Sequence, residues 1–368
     1  MKIIHFCSYY IGSKVYKKLF EALLKYDVES EVFIPIRTQS HFDKNKIETD
    51  KIHFHYIKCL SVFTKLFYSI KLVKVVFNFL FVFNGSKKGN VIHAHTFYAD
   101  GIPAYICAKL LKKKLVITLR NTDVNLGFKF FRQYKWLATL AVKYSSQIIF
   151  VSPKHKIKFQ RYFGNKFNSK LKVIPNGIDA FFIEKALNSK RSINTCVGIY
   201  AGEITKNKNI NSSIEAFANA NKGKYWEFHV VGGQYEDFIK VYGALSKEYL
   251  KSVHFISKVT QQELTEYYDN ATLFIMPSHL ETFGLVYIEA ISRCLPVVYT
   301  KDQGIDGYFI EGEVGFSCNS YSVDDITKAI IKTMNKHPEG LVFNDKNIAE
   351  SFDWNIIAKD YVDNIYNL

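Results

Sequence analysis

The sequence is poor in cysteine, and its six cysteines are scattered, with no CxxC pair among them. Only Cys59 has histidines close by, His53 and His55, and no further ligand follows at a recognisable spacing. This pattern argues against a disulfide framework and a zinc site, and it indicates a reducing compartment. Low-complexity tracts and repeats of solenoid period are missing as well.

Long uncharged apolar runs are also absent. The most apolar segment, residues 63–85, is interrupted by Lys65, Lys71 and Lys74. No uncharged run therefore reaches the roughly 18 residues that a membrane span needs. The first residues contain too short an apolar run for a signal peptide and are typical of a strand. We expect a cytoplasmic protein, either soluble or peripheral to the inner face of a membrane.

Several catalytic signatures are missing. The sequence has no GxxxxGK[ST] loop and no GxGxxG motif, so the phosphate-binding signatures of ATPases and dehydrogenases are excluded. No Ser-His-Asp or Cys-His nucleophile arrangement is recognisable either.

Positive charge is in excess, and it is unevenly placed. The net charge is +15, with 31 Lys+Arg against 10 Asp+Glu in residues 1–180 and 18 against 24 in residues 181–368. A basic half joined to a mildly acidic half indicates that one surface meets an anionic partner. Nucleic acid is not expected, because no recognition module is present and the aromatic residues lack the spacing of a stacking strand.

Strand-like and helix-like segments alternate through both halves of the chain. Apolar strands such as EVFIPI, LVITLR and TLFIMP alternate with helical patterns such as SKVYKKLFEALLKY. This alternation predicts an α/β protein with two doubly wound, Rossmann-like domains facing a central cleft, and ligands beyond the carboxyl ends of the strands. Turn residues in VIPNGID place a boundary near 180. The predicted divisions are 1–180, 181–350 and a closing segment, 351–368.

The segment SHLETFGLVYIEAISRCLPVV, residues 278–298, combines a buried helix with two carboxylates. Glu289 lies inside the apolar helix and Glu281 just before it, where an unpaired charge is costly. The helix start follows a strand, and its free N–H groups suit a phosphate. Two other interpretations are open: Ser278 and Glu281 fit a capping box, and Glu289 could pair with a buried Lys or Arg.

These motifs resemble those of the retaining glycosyltransferases of family four, which have the GT-B fold. MPSHLETFGLVYIEA is similar to the family signature PS-x-x-E-x-FG-x-x-x-x-EA, and KVIPNGID and LPVVYT are similar to its linker and a later strand. The closing SFDWNIIAKDYVDNIY resembles the terminal helix that crosses back onto the first domain. The resemblance covers nearly the whole chain.

The resemblance implies transfer of a hexose or N-acetylhexosamine, with retention at the anomeric carbon. The donor would be a nucleotide-diphospho-sugar, UDP-linked, and the acceptor a polysaccharide or a lipid-linked glycan. Glu289 would accept hydrogen bonds from the ribose hydroxyls, and Glu281 from hydroxyls of the transferred sugar. The backbone against the sugar and phosphate would be that of Phe283, Gly284 and Leu285.

The loop YAGEITKNKNI, residues 200–210, departs from the family pattern. After Gly202, which belongs to the donor site, the family has an Arg and a Lys that clamp the diphosphate. This chain keeps the lysine as Lys208 but has Glu203 in place of the arginine. Either Glu203 turns away and pairs with a lysine, or the phosphates depend more on Lys208 and the helix end; a solvated Lys208 is the alternative. No DxD motif is evident, so a metal cofactor is not expected.

The first half carries further candidates. Arg120, in LVITLRNTD, stands where the family has a histidine near the donor sugar; it can donate but cannot act as a base, and a salt bridge to Asp123 is the alternative. Gly12 could bring the backbone close to the donor phosphate or the acceptor, or form a plain turn. His95 would face the cleft, or be structural. In the second half, Cys294 replaces a usual glycine, which changes packing rather than catalysis.

Residues 61–88 combine aromatic residues with lysines. A basic helix with aromatic content is typical of a segment that lies on an anionic membrane surface, and the alternative is that the aromatics belong to the core. The residues concerned are Phe63, Phe67, Tyr68, Phe77, Phe79, Phe81 and Phe83, with Lys65, Lys71, Lys74, Lys87 and Lys88.

Two other functions compete with sugar transfer. A nucleotide-sugar epimerase of the same fold would use the donor site without an acceptor. A catalytically silent donor-binding or scaffold protein is the other alternative, because Glu203 and Arg120 replace residues that the family uses.

Overall fold

The computed structural model describes residues 1–187, 196–343 and 347–367, with the side chain of Lys65 outside the described part. The chain forms two compact units. The first unit contains Met1–Val151, His155–Gly177 and Trp354–Leu368, and the second contains Ser152–Lys154 and Ile178–Asp353. The units therefore divide at Gly177 and Asp353, whereas the sequence placed the divisions at 180 and 350.

The first unit is built on a parallel sheet of seven strands. Its strands are β1 (Lys2–Phe6), β2 (Glu29–Ile36), β3 (Ile52–Lys58), β4 (Val91–Ala94), β5 (Lys114–Leu119), β6 (Gln147–Phe150) and β7 (Leu171–Val173). Their order across the sheet is β3-β2-β1-β4-β5-β6-β7. Strands that are covered on both faces read as short continuous apolar runs, as these do.

The second unit has its own parallel sheet of six strands. These are β8 (Val197–Ala201), β9 (Glu227–Val231), β10 (Val253–Ile256), β11 (Leu273–Ile275), β12 (Val297–Thr300) and β13 (Gly315–Cys318). Their order is β10-β9-β8-β11-β12-β13. In both sheets the order reverses beside the first strand of the unit, as in doubly wound folds. The predicted α/β class with two Rossmann-like domains is confirmed.

Helices connect the strands. In chain order they are α1 (Lys14–Leu23), α2 (Val62–Leu66), α3 (Tyr68–Phe77), α4 (Ile102–Leu110), α5 (Phe128–Phe130), α6 (Lys135–Tyr144), α7 (Pro153–Phe163), α8 (Ala180–Glu184), α9 (Ile210–Ala220), α10 (Tyr235–Tyr242), α11 (Gln261–Asn270), α12 (Leu285–Ser292), α13 (Val323–Lys336) and α14 (Trp354–Tyr361). No helix in the described part of the chain combines the length and apolarity needed to cross a bilayer.

Helices cover both faces of the first sheet. One buried cluster packs α3, α4 and α6 on the sheet, and the other packs α1 and α14 on its opposite face. The last helix is held in this unit by Trp354, whose ring lies over Gly177; a Cβ on that glycine would be 2.6 Å from the ring. The glycine of the VIPNGID turn is therefore required by the packing of α14.

Candidate functional site

A cavity of about 400 Å³ lies at the carboxyl ends of β8 and β9 in the second unit. Two glycines shape its floor, since the Gly202 amide donates to Val231 O at 2.8 Å and a Cβ on Gly232 would lie 2.4 Å from Gly202 O. Both glycines have positive φ, +146° and +118°, which side chains disfavour. The lining residues are Ala201, Gly202, Glu203, Val231, Gly232, Lys258, Val259, Leu264 and Val286.

The structure brings Lys208 and Glu281 together, although 73 residues separate them. Lys208 Nζ donates to Glu281 Oε2 at 2.7 Å, and the side chains are 25% and 12% exposed. Asn207 fixes the two loops, because its side chain donates to Leu280 O at 2.8 Å and accepts from Leu280 N at 3.0 Å. Lys208 is therefore an ordered, paired lysine rather than a solvated loop lysine.

The loop that carries Glu281 does not form a capping box. Helix α12 begins at Leu285 with Gly284 as its N-cap (φ +81°) and no side-chain cap, and Ser278 Oγ is buried without a hydrogen-bond partner in the described part of the structure. Glu281 instead accepts from the amide of Thr282 at 3.0 Å. The capping interpretation is wrong because the helix starts too late for Ser278 to reach its first amides.

The N-terminus of α12 borders the cavity. Val286, in its first turn, lines the cavity, and a Cβ on Gly284 would lie 3.3 Å from Glu281 Cγ. The first amides of a helix have no intrahelical acceptor. The side chain of Phe283 is buried against Tyr308 and Phe352 and does not line the cavity.

Glu289 is a half-buried carboxylate without a charged partner in the described part of the chain. Burial, and to a smaller extent the negative charge of Asp179, raise its pKa to about 7. Arg293, one turn further along the chain, is paired with Asp269, to which it donates two hydrogen bonds of 2.9 and 2.7 Å. The interpretation of Glu289 as half of an ion pair is therefore wrong. A perturbed, unpaired carboxylate is typical of a ligand site.

Glu203 lies exposed at the cavity edge together with Lys258. Its carbonyl accepts from Tyr200 Oη at 2.8 Å, but its carboxylate pairs with no lysine in the described chain. Lys258 is a cavity residue that the sequence reasoning missed. The sequence signal for it was its position two residues after β10, at the carboxyl edge of the sheet.

In the first unit, Arg120 is tied into its own surroundings. Its Nε donates to His95 O at 3.3 Å, its Nη1 to Asn176 Oδ1 at 3.5 Å, and its guanidinium lies 4.6 Å from the centre of the Tyr16 ring. The carboxylate of Asp123 accepts from the Arg120 main-chain amide at 3.0 Å. The proposed side-chain salt bridge is thus replaced by a backbone hydrogen bond.

The structure places the other two first-unit candidates in different surroundings, since His95 is buried and Gly12 is exposed. The His95 ring is buried, and its Nε2 shares a hydrogen bond of 3.0 Å with His5 Nδ1. Burial holds the pKa of His95 well below its ordinary value. Gly12 ends a short turn in which a Cβ would lie 2.6 Å from the Tyr9 ring. His95 therefore belongs to a buried histidine cluster, and Gly12 belongs to an exposed turn.

A second cavity, of about 350 Å³, lies in the first unit, and no motif had indicated it. Its polar wall includes Asp123, whose pKa burial raises to about 6, and Lys71, whose pKa burial lowers. Lys71 is thus half-buried here rather than on a membrane-facing surface. The remaining lining residues are Arg37, Thr64, Leu66, Tyr68, Tyr98, Ala99, Thr122, Leu126, Gly127, Phe130 and Phe131.

Comparison with known proteins identifies the family. Residues 13–180 match the family model described as Glycosyltransferase Family 4, and residues 188–347 match the one described as Glycosyl transferases group 1. The alpha-monoglucosyldiacylglycerol synthase of Acholeplasma laidlawii is 26% identical over 301 residues, which cover 76% of this chain and 73% of that protein.

Solved structures agree with the fold. The lipopolysaccharide outer core galactosyltransferase WaaB matches with a TM-score of 0.72 and 17% identity, covering 100% of this chain and 99% of the other. Alr3699/HepE of Anabaena, solved in complex with UDP, matches with a TM-score of 0.69 and 19% identity over 100% of both chains. The chain belongs to the family-four glycosyltransferases, which have the GT-B fold.

Proposed function

We propose that the protein transfers a hexose or N-acetylhexosamine from a UDP-linked donor to a polysaccharide or lipid-linked acceptor, with retention at the anomeric carbon. The observation that carries the proposal is the convergence, in the second unit, of the Lys208–Glu281 pair and the start of α12 beside a cavity. A cation and free helix amides suit a diphosphate, and carboxylates suit hydroxyls.

The donor would bind through the residues around this cavity. Lys208 carries three N–H donors, so it can keep its bond to Glu281 and still donate to a phosphate oxygen. Glu281 Oε1 accepts from the amide of Thr282 and has a further lone pair for a sugar hydroxyl. Glu289 would accept from the ribose. UDP is favoured because the structurally similar HepE was solved with UDP.

The acceptor would bind in the first unit. Its cavity has a polar wall with Asp123 and Lys71, whereas Leu66 and Phe130 on its lining are exposed apolar side chains. A polar interior with an apolar edge suits an amphiphile such as a sugar on a lipid carrier. A glycolipid synthase and a lipopolysaccharide glycosyltransferase are among the similar proteins.

An exposed apolar surface on α2, α3 and the following turn supports peripheral contact with a membrane. We call this the α2–α3 surface; its members are Val62, Phe63, Leu66, Phe67, Ile70, Val73, Phe77, Phe81 and Val82. Phe79 and Phe83 are instead buried, so the core interpretation holds for part of the set. Lys74 and Lys87 are exposed nearby, whereas Lys88 pairs with Glu31 at 3.0 Å.

Calorimetric titration with UDP, GDP and ADP tests the donor assignment. We expect UDP to bind best, and Glu289→Ala to weaken it about ten- to a hundredfold, since a charge-assisted hydrogen bond contributes about 1.5–3 kcal/mol. The exposed Glu266→Ala is the matched control. Absence of nucleotide binding would favour the silent scaffold alternative. Isomerisation of the donor sugar without an acceptor would favour the epimerase alternative.

A further inference from the structure

A second cluster of ligand-type side chains lies on the sheet of the second unit. Glu227 begins β9 and His229 follows two residues later, so both side chains project from the same face. His254, on the edge strand β10, lies directly opposite His229 in the parallel register. The topology therefore places one carboxylate and two imidazoles side by side.

The three side chains converge on one point. Glu227 Oε2 lies 3.3 Å from His229 Nε2 and 3.8 Å from His254 Nε2, and all three ligand atoms lie within 4.8 Å of one another. Bond lengths of about 2.0–2.1 Å around a tetrahedral zinc ion separate its ligands by about 3.3 Å. Small side-chain rotations would thus complete three sides of such a site.

The surroundings orient the ligands. The second oxygen of Glu227 accepts a hydrogen bond from the Tyr225 hydroxyl, and the Tyr267 ring packs edge-on against His229 at 5.9 Å. His229 Nε2 faces the cluster, since it lies 3.3 Å from Glu227 Oε2, and Nδ1 is buried with no hydrogen-bond partner in the described structure. The His254 side chain is 49% exposed, so the site is open to solvent.

We propose that Glu227, His229 and His254 bind a divalent first-row transition metal, with Zn²⁺ as the best match. Two imidazoles and one carboxylate are a common zinc ligand set, and three protein ligands leave one position for water or another molecule. The ion would cross-link β9 to the edge strand β10.

This site is separate from the donor cavity and does not depend on the proposed sugar transfer. Glu227 is at the start of β9, whereas the cavity begins at Val231, four residues along the strand and about 13 Å away. The expectation that transfer needs no metal is therefore compatible with a zinc ion here.

Another group of three histidines, His5, His93 and His95, also has the spacing of a metal site. Its ring nitrogens already form hydrogen bonds. His93 is hydrogen-bonded to the hydroxyls of Tyr366 at 2.7 Å and Thr118 at 2.8 Å, and His5 is hydrogen-bonded to His95. Binding a metal there would break several buried hydrogen bonds. Binding a metal at the Glu227 cluster would break only the contacts that its three ligands make with one another.

Calorimetric titration of the metal-free full-length protein with ZnCl₂ tests the proposal. We expect one site that His254→Asn and Glu227→Gln each weaken at least tenfold. His53→Asn, an exposed strand histidine of the first unit, should leave binding unchanged. Circular dichroism verifies that each variant is folded, and His254 is exposed enough for its substitution to be tolerated.

Cu²⁺ serves as a spectroscopic probe of the same ligands. Electron paramagnetic resonance of the wild type should show coupling to two nitrogens, and His254→Asn should reduce it to one. Absence of Zn²⁺ binding by the wild type, or binding that His254→Asn and Glu227→Gln leave unchanged, would overturn the proposal.

Discussion

Glu289 shows how the fold perturbs a single residue. The surrounding helix is apolar, its neighbour Arg293 is committed to Asp269, and Asp179 adds a second negative charge. The folded protein therefore binds a proton at Glu289 more tightly than the unfolded chain does. The stability from this proton is present below pH 4.5 and is lost as the pH rises through about 7.

Glu289→Gln should consequently stabilise the protein at pH 8. We expect the free energy of unfolding to rise by on the order of 2 kcal/mol there, because the cost of an ionised buried carboxylate is removed. Below pH 4.5 the variant and the wild type should be nearly equal. Denaturant unfolding at both pH values measures the difference, with the exposed Glu266→Gln as control. An equal effect at both pH values would contradict the assigned cause.

Lys208 gives a second prediction at this scale. Lys208→Ala should weaken UDP binding about tenfold or more, because a charge-assisted bond to phosphate is lost. Binding of uridine, which has no phosphate, should change little. Because the substitution also leaves Glu281 without its partner, the double variant with Glu281→Gln is measured as well. A comparable loss for uridine would show that the effect is structural.

At the scale of elements, the proposed binding of the basic half to a membrane depends on the α2–α3 surface. Substituting both Lys74 and Lys87 by Glu should lower affinity for vesicles containing phosphatidylglycerol by at least tenfold, since each lysine near an anionic leaflet contributes about 1 kcal/mol. Sedimentation at low and high salt measures this.

The exposed Lys222→Glu of the second unit is the matched control for charge alone. Phe63→Ser tests the apolar contribution separately. Vesicle binding that is independent of salt and of all these variants would rule out docking through this surface.

The sequence patterns predicted the strand and helix that carry the site. They did not predict most of the contacts between its side chains. The strand–turn–helix around Glu281 and α12 followed from the apolar pattern. The capping box failed because Gly284, with its positive φ, delays the start of the helix. The first-unit cavity was missed because its lining comes from separated segments, around Arg37, Lys71 and Asp123.

For the whole molecule, we expect sugar transfer to continue in EDTA and the product to keep the anomeric configuration of the donor. The physical reason for the first is that Lys208 and the start of α12 already supply positive charge at the proposed diphosphate site. Activity assays with and without chelator and proton NMR of the product measure both. An inverted product, or loss of activity that Mg²⁺ or Mn²⁺ restores, would contradict this mechanism.

The sequence by itself determined the α/β class, the two-domain organisation and the family, because periodicity and motif spacing are local properties of the chain. Only the tertiary structure decided which charges meet. It paired Lys208 with Glu281, left Glu289 with no oppositely charged partner among the described residues, and buried His95 against His5. It also brought Glu227, His229 and His254 together through strand register. Contacts between distant segments depend on sheet order and packing, which local patterns do not contain.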